Sequence, residues 1–159
     1  MPNQLLHHMT AKVKRILLVE DSEHDIELTL AALETHNVAN EVDTARDGAE
    51  ALDYLYRRGK FADRPNDLPV VVLLDLKMPK VDGLEVLRQI KADPDMKRIP
   101  VVMLTSSREE QDLVRSYELG VNAYVVKPVN FTQFMDSVKQ LGCFWAVINE
   151  PPPVTPVIA

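Results

Sequence analysis

Short apolar runs alternate along this chain with longer segments whose apolar residues recur at helical spacing. The runs Ile16-Leu17-Leu18-Val19, Val70-Val71-Val72-Leu73-Leu74, Pro100-Val101-Val102-Met103-Leu104 and Val121-Asn122-Ala123-Tyr124-Val125-Val126 have the length and β-branched content of strands buried on both faces. A fifth run, Glu41-Val42-Asp43-Thr44-Ala45, alternates polar and apolar as a strand nearer a sheet edge does. Between them, Ile26, Leu30 and Leu33; Ala51, Leu52 and Leu55; Leu84, Leu87 and Ile90; Leu113 and Tyr117; and Phe131, Phe134, Val138, Leu141 and Trp145 each mark one apolar stripe of a helix. Ser22 with Asp25, Asp47 before Gly48, and Ser106 with Glu109 supply helix starts, and Gly59 and Gly120 supply stops.

Five strand and helix pairs in strict alternation predict right-handed crossovers and an α/β fold, a doubly wound five-stranded parallel sheet with helices on both faces. The flavodoxin-like order 2-1-3-4-5 is expected. The long polar segment 59–69 is expected to cross the surface before the third strand.

Length then fixes the domain count. The 159 residues suit one domain, expected over 14–148, with a loose arm at 1–13 and a proline-rich tail at 149–159. About ten residues after the last helix are too few for an output domain, so a stand-alone protein is expected. Charge removes a class of partner: 18 Lys+Arg against 24 Asp+Glu leave a net charge of −6, which disfavours nucleic acid. The leading residues carry only Leu5-Leu6 as an apolar pair, so neither a secretory signal nor a membrane anchor is expected. The single cysteine, Cys143, forms no intramolecular disulfide and fits a reducing, cytoplasmic setting. His7, His8, His24 and His36 share no zinc-ligand spacing.

In a sheet of this kind ligands gather at the carboxyl ends of the strands. Here those ends carry Glu20 and Asp21, then Asp75, then Thr105 and Ser106, then Lys127 followed by Pro128. With strands 1 and 3 adjacent, three carboxylates crowd together. At about 5 Å and an effective dielectric of about 20, each pair repels by roughly 3 kcal/mol. Lys127 offsets part of this, and a hard divalent ion that keeps several waters, Mg²⁺, suits the remainder. A carboxylate nucleophile, a metal, an ammonium and a hydroxyl donor suit phosphoryl transfer, with Asp75 as the acceptor. Capping by Glu20, Asp21, Ser22 and Ser106, and plain packing by Tyr124, are the structural alternatives.

Leu17-Leu18-Val19-Glu20-Asp21, Leu73-Leu74-Asp75-Leu76-Lys77-Met78-Pro79 with Asp82-Gly83, Leu104-Thr105-Ser106 and Val126-Lys127-Pro128 together resemble the receiver domain of two-component response regulators. The resemblance implies that Asp75 accepts phosphate from a phosphohistidine on a sensor histidine kinase. It implies that Asp21 and Asp75 bind Mg²⁺ directly, Glu20 through water, with the Lys77 backbone carbonyl as a further ligand. Thr105 and Lys127 would hold phosphoryl oxygens, Tyr124 would be an aromatic switch, and the Lys127–Pro128 bond would be cis. Glu20 stands where many members have Asp. Output would be a changed protein-interaction surface toward an unknown downstream protein, formed by the segment bearing Leu113 and Tyr117, the fifth strand and the last helix.

A narrower likeness rests on Tyr54-Leu55-Tyr56-Arg57-Arg58-Gly59-Lys60-Phe61, Ser116-Tyr117-Glu118-Leu119-Gly120 and Cys143-Phe144-Trp145, which resemble the small regulators paired with bacterial and cyanobacterial phytochromes. It implies a phytochrome as the kinase. Phe131, Phe134, Val138, Leu141 and Trp145, with the tail beyond them, are read either as ordinary packing or as a homodimer interface. Three rivals remain at this stage: a receiver-shaped binding module that is never phosphorylated, a flavin carrier of the same topology, and a haloacid-dehalogenase-type phosphatase. The last two need a hydroxyl- and glycine-rich loop, or a second Asp two residues on, after the first strand; Glu20-Asp21-Ser22-Glu23 provides neither.

Overall fold

The computed structural model describes residues 15–34, 41–106, 118–119, 121, 123–141 and 147. In chain order these form β1 (Arg15–Val19), α1 (Glu23–Glu34), β2 (Glu41–Ala45), α2 (Gly48–Tyr56), a 3-10 turn (Gly59–Phe61), β3 (Val71–Asp75), α3 (Gly83–Ala92), β4 (Val101–Thr105), β5 (Tyr124–Val126) and α4 (Phe131–Gln140). All neighbouring strands pair in parallel, in the order β2-β1-β3-β4-β5. The helical stripe at Leu113 and Tyr117, Gly120, the segment Cys143 to Trp145, the amino-terminal arm and the tail lie outside the described residues.

The period-2 alternation of a strand sorts each apolar run onto two sides of the sheet. Leu17, Val19, Val72, Leu74, Val101 and Met103 pack on one face with Ala51, Leu52 and Leu55 of α2 and Leu84, Leu87 and Ile90 of α3. Ile16, Leu18, Val71, Leu73, Val102 and Leu104 pack on the other with Ile26 and Leu33 of α1 and Phe134 and Val138 of α4. Both faces are therefore covered, which is why these strands read as unbroken apolar runs. β2 has one neighbour and is only partly buried, in keeping with its alternating sequence.

Some boundaries differ from expectation for local reasons. Pro100 has no N–H to give the ladder, so β4 begins at Val101, although the Pro100 carbonyl accepts the Val72 N–H at 2.9 Å. β3 runs on through Asp75, because Asp75 still pairs with Leu104 and the Leu76 N–H reaches the Leu104 carbonyl at 2.9 Å. β5 is shorter than its apolar run, though Val121 and Ala123 are buried. Gly59 does not stop α2. The stop is Arg57, in the left-handed region at φ 55°, whose N–H reaches the carbonyls of Asp53 and Tyr54.

The segment 59–69 is tied down rather than merely draped. The Arg64 guanidinium lies 4.1 Å from the Tyr54 ring centre and donates to the carbonyls of Tyr54 at 3.0 Å and Asp67 at 2.7 Å. Among the described residues no helix is long and apolar enough to cross a membrane.

Candidate functional site

Strand register sets the level of each polar residue at the carboxyl edge. Val19 pairs with Leu74, Asp75 with Leu104, and Thr105 with Val126, so Glu20, Asp75, Thr105 and Lys127 come to the same rim. The Lys127 N–H donates to the Thr105 carbonyl at 2.8 Å, extending the ladder by one bond, and the Lys127–Pro128 peptide is cis. Carboxylate oxygens of Glu20, Asp21 and Asp75 lie within 4.8 Å of one another.

Lys127 Nζ sits at the centre of this acidic rim. It is 2.9 Å from Glu20 Oε2, 2.9 Å from Asp25 Oδ2 and 3.4 Å from Asp75 Oδ1. Glu20 is enclosed almost completely, and its second carboxylate oxygen accepts the Ser22 N–H at 3.2 Å. Burial first, and then the Glu20 carboxylate, push the Asp75 carboxyl up to about 7, against the opposing pull of Lys127. Burial alone would lower the Lys127 pKa, but the hydrogen bonds to Asp25 and Glu20 and the Asp75 charge raise it overall, so it stays an ammonium.

Among the described residues, a single ammonium among these carboxylates leaves negative charge in excess. Hard oxygen donors, two of them buried and Asp21 exposed, fit a divalent cation that enters from the solvent side and keeps part of its water. Loading such an ion would favour the ionised Asp75, the form needed for nucleophilic attack.

The remaining expected residues fall around this centre. Thr105 is buried at the end of β4, whereas Ser106 is exposed. Lys77 is exposed on the loop after β3, and Tyr124 is half-buried against the core shared with α2 and α3. Beneath the acceptor, Gly83 is obligatory: a Cβ there would lie 2.1 Å from the Asp75 carbonyl oxygen. Asp82 caps α3 by accepting the Glu85 N–H at 2.9 Å, which anchors the far end of the same loop.

Two sequence readings need correction. Phe134 and Val138 are completely enclosed in the protomer's own core, so neither side chain can form a dimer surface. Phe131 and Leu141 are half-buried and pack on that core, and Trp145 lies outside the described residues. Asp25, expected only as a partner in the α1 cap, also belongs to the site. Its N–H is indeed accepted by Ser22 Oγ at 3.3 Å, but its carboxylate reaches Lys127. Its position one helical turn after Asp21 was the available signal.

Comparison with known proteins adds to this geometry. Residues 16–139 match the model of the response regulator receiver domain. The response regulator Rcp1 of Synechocystis sp. (strain ATCC 27184 / PCC 6803 / Kazusa) is 45% identical over 132 residues, 83% of this chain and 88% of the relative. A structure of its Mn(2+)-bound form is 42% identical, with a TM-score of 0.70, over 89% of this chain and 99% of that one. The bacteriophytochrome response regulator AtBRR is 64% identical in structural alignment, with a TM-score of 0.81, over 88% of this chain and 100% of that one. The phosphorylated cyanobacterial phytochrome response regulator RcpA is 45% identical, with a TM-score of 0.71, over 90% and 100% of the two chains.

Proposed function

This chain belongs to the response regulator receiver domain family, and on that footing we propose that it is a phospho-acceptor for a sensor histidine kinase of the phytochrome type, using Mg²⁺ as its cation. The observation that carries the reading is the convergence of Asp75, Lys127, Glu20 and Asp21 on one rim, with Asp75 buried within it. The kinase type rests on the similarity to Rcp1, AtBRR and RcpA. Proteins of this family are signalling proteins rather than metabolic enzymes.

In the transfer, an Asp75 carboxylate oxygen attacks the phosphorus of a phosphohistidine. An O–P bond forms, the P–N bond breaks, and its electron pair returns to the imidazole. Asp21, Asp75 and the Lys77 backbone carbonyl would hold Mg²⁺ directly and Glu20 through water, and the bound ion would supply neutralisation of charge on the transferring group. Lys127 pairs with one phosphoryl oxygen and the Thr105 hydroxyl donates to another. Movement of Thr105 then biases the half-buried Tyr124, three residues before Lys127, changing the surface offered to a downstream protein.

The test is incubation with acetyl phosphate and Mg²⁺, comparing the native chain with Asp75→Asn by mass spectrometry. The native chain is expected to gain one phosphoryl group that is lost in base, and Asp75→Asn none. A native chain that gains nothing, or an equal gain in the variant, overturns the reading.

A further inference from the structure

We propose that Asp25 is a positioning residue that competes with the incoming phosphoryl group for the Lys127 ammonium, so that the first turn of α1 governs how readily the site accepts an anion. The inference rests on Asp75 being the phospho-acceptor and adds a residue to that site.

Lys127 Nζ stands closer to Glu20 and Asp25, at 2.9 Å each, than to Asp75, at 3.4 Å. An ammonium has three N–H donors, so pairing with a phosphoryl oxygen requires it to lengthen or release one of these contacts. The three partners are unequal in what release costs. The side chains of Glu20 and Asp75 are 1% and 6% exposed, and either carboxylate left unpaired would keep its charge inside the protein. The Asp25 side chain is 31% exposed and can be rehydrated when Lys127 leaves it.

Asp25 is also dispensable to the helix start. Ser22 Oγ accepts the Asp25 backbone N–H, and the Ile26 N–H reaches the Ser22 carbonyl at 2.9 Å, so no bond of the cap uses the Asp25 carboxylate. The two groups are 102 positions apart in sequence, and their contact joins α1 directly to the end of β5. Anion uptake thus exchanges one carboxylate partner of Lys127 for another oxygen ligand, and sets the Asp25 side chain free on the surface of α1.

Beryllofluoride, which mimics a phosphoryl group without covalent transfer, isolates this exchange. Its affinity is measured calorimetrically at saturating Mg²⁺ for the full-length native chain, Asp25→Asn, Asp25→Ser and Glu23→Gln, and for Lys127→Gln alone and combined with Asp25→Asn. Both Asp25 variants are expected to bind about ten-fold more tightly than the native chain, the size of one charge-assisted contact no longer competed for. Glu23, exposed on the same turn and paired with Arg46, controls for a general field effect, and its variant is expected to match the native chain. Adding Asp25→Asn to Lys127→Gln is expected to change nothing further.

Native-like or weaker binding in both Asp25 variants overturns the proposal. So does an equal gain in Glu23→Gln, or a gain that persists without Lys127. A native chain that binds no beryllofluoride overturns the phospho-acceptor reading itself, which separates the two failures.

Discussion

Two clusters of charge in this chain use similar residues to opposite ends. At the carboxyl rim, Lys127 faces Glu20, Asp25 and Asp75, so one cation meets three carboxylates even before Asp21 is counted. At the β2 edge, Arg15 Nη1 meets Asp43 at 3.2 Å and Glu41 at 3.1 Å, the Tyr54 hydroxyl donates to Asp43 at 2.5 Å, and Arg64 covers the Tyr54 ring. The second cluster is closed: the Asp43 carboxylate has both a cation and a hydroxyl donor, and the Arg64 fork ends on backbone carbonyls. The first is open, with charge that the described residues do not balance. Buried charge left short of partners is costly, and a fold retains it where a ligand completes it.

The sharpest way to break this contrast is to titrate it. Asp75 stands at about 7 in the folded chain against an ordinary value of 3.8, so the folded state holds an extra proton between those limits. Stability of the cation-free protein is therefore greatest below about pH 4 as far as this group is concerned, and falls as pH rises toward 7. The drop is at most about 4 kcal/mol, and less where water screens the site. Asp47, held low by the Glu50 N–H, and Glu85, drawn to about 2 by Arg88, titrate below most of this window and do not mask it. Urea unfolding in chelator between pH 4.5 and 7.5 is expected to show the fall, and Asp75→Asn or added Mg²⁺ to flatten it. A flat profile for the native chain in chelator would sink the argument that the rim is under-compensated.

The closed cluster predicts the reverse. Tyr54→Phe removes a buried hydroxyl donor from a carboxylate and is expected to cost about 2 kcal/mol by the same unfolding measurement. Phosphoryl uptake from acetyl phosphate should be unchanged, because the hydroxyl lies at the opposite edge strand from β4 and β5. Burial, then the Asp43 hydrogen bond, push the Tyr54 hydroxyl's pKa above its usual range, so no ionisation at moderate pH complicates the result. Slowed uptake in Tyr54→Phe would show that the two clusters are coupled.

The contrast also explains what could be read from sequence. The open cluster was legible because each member follows an apolar run, and a parallel sheet delivers the ends of its strands to one rim. Asp25 was not, because an acidic residue in the first turn of a helix has an ordinary role with the helix dipole, and its partner is distant in sequence. The closed cluster was hidden for a related reason: Tyr54 and Arg64 belong to a helix and an irregular segment with no shared period. The Arg57 stop was missed because glycine is the usual residue in the left-handed region, whereas here the carbonyls of Asp53 and Tyr54 hold a non-glycine there. In the last helix, the aromatic stripe left packing and a dimer surface equally open, because its period does not say which aromatic faces the sheet; Phe134 fills the core.

The smallest expected effect asks whether the closed cluster depends on charge or on shape. Arg64→Lys keeps the positive charge but removes the planar fork that lies over Tyr54 and donates to the carbonyls of Tyr54, Pro65 and Asp67. A lysine ammonium is a compact, strongly hydrated charge and cannot stack and bridge these groups together. A loss of about 1 kcal/mol is expected, the scale of one cation–π contact with its accompanying neutral hydrogen bonds. The signature lies in location as much as in size: amide exchange should speed up across 59–69 while the β3 and β4 amides stay protected. An unchanged exchange pattern in Arg64→Lys would mean that charge alone holds this segment, and the clusters would then differ in balance but not in kind.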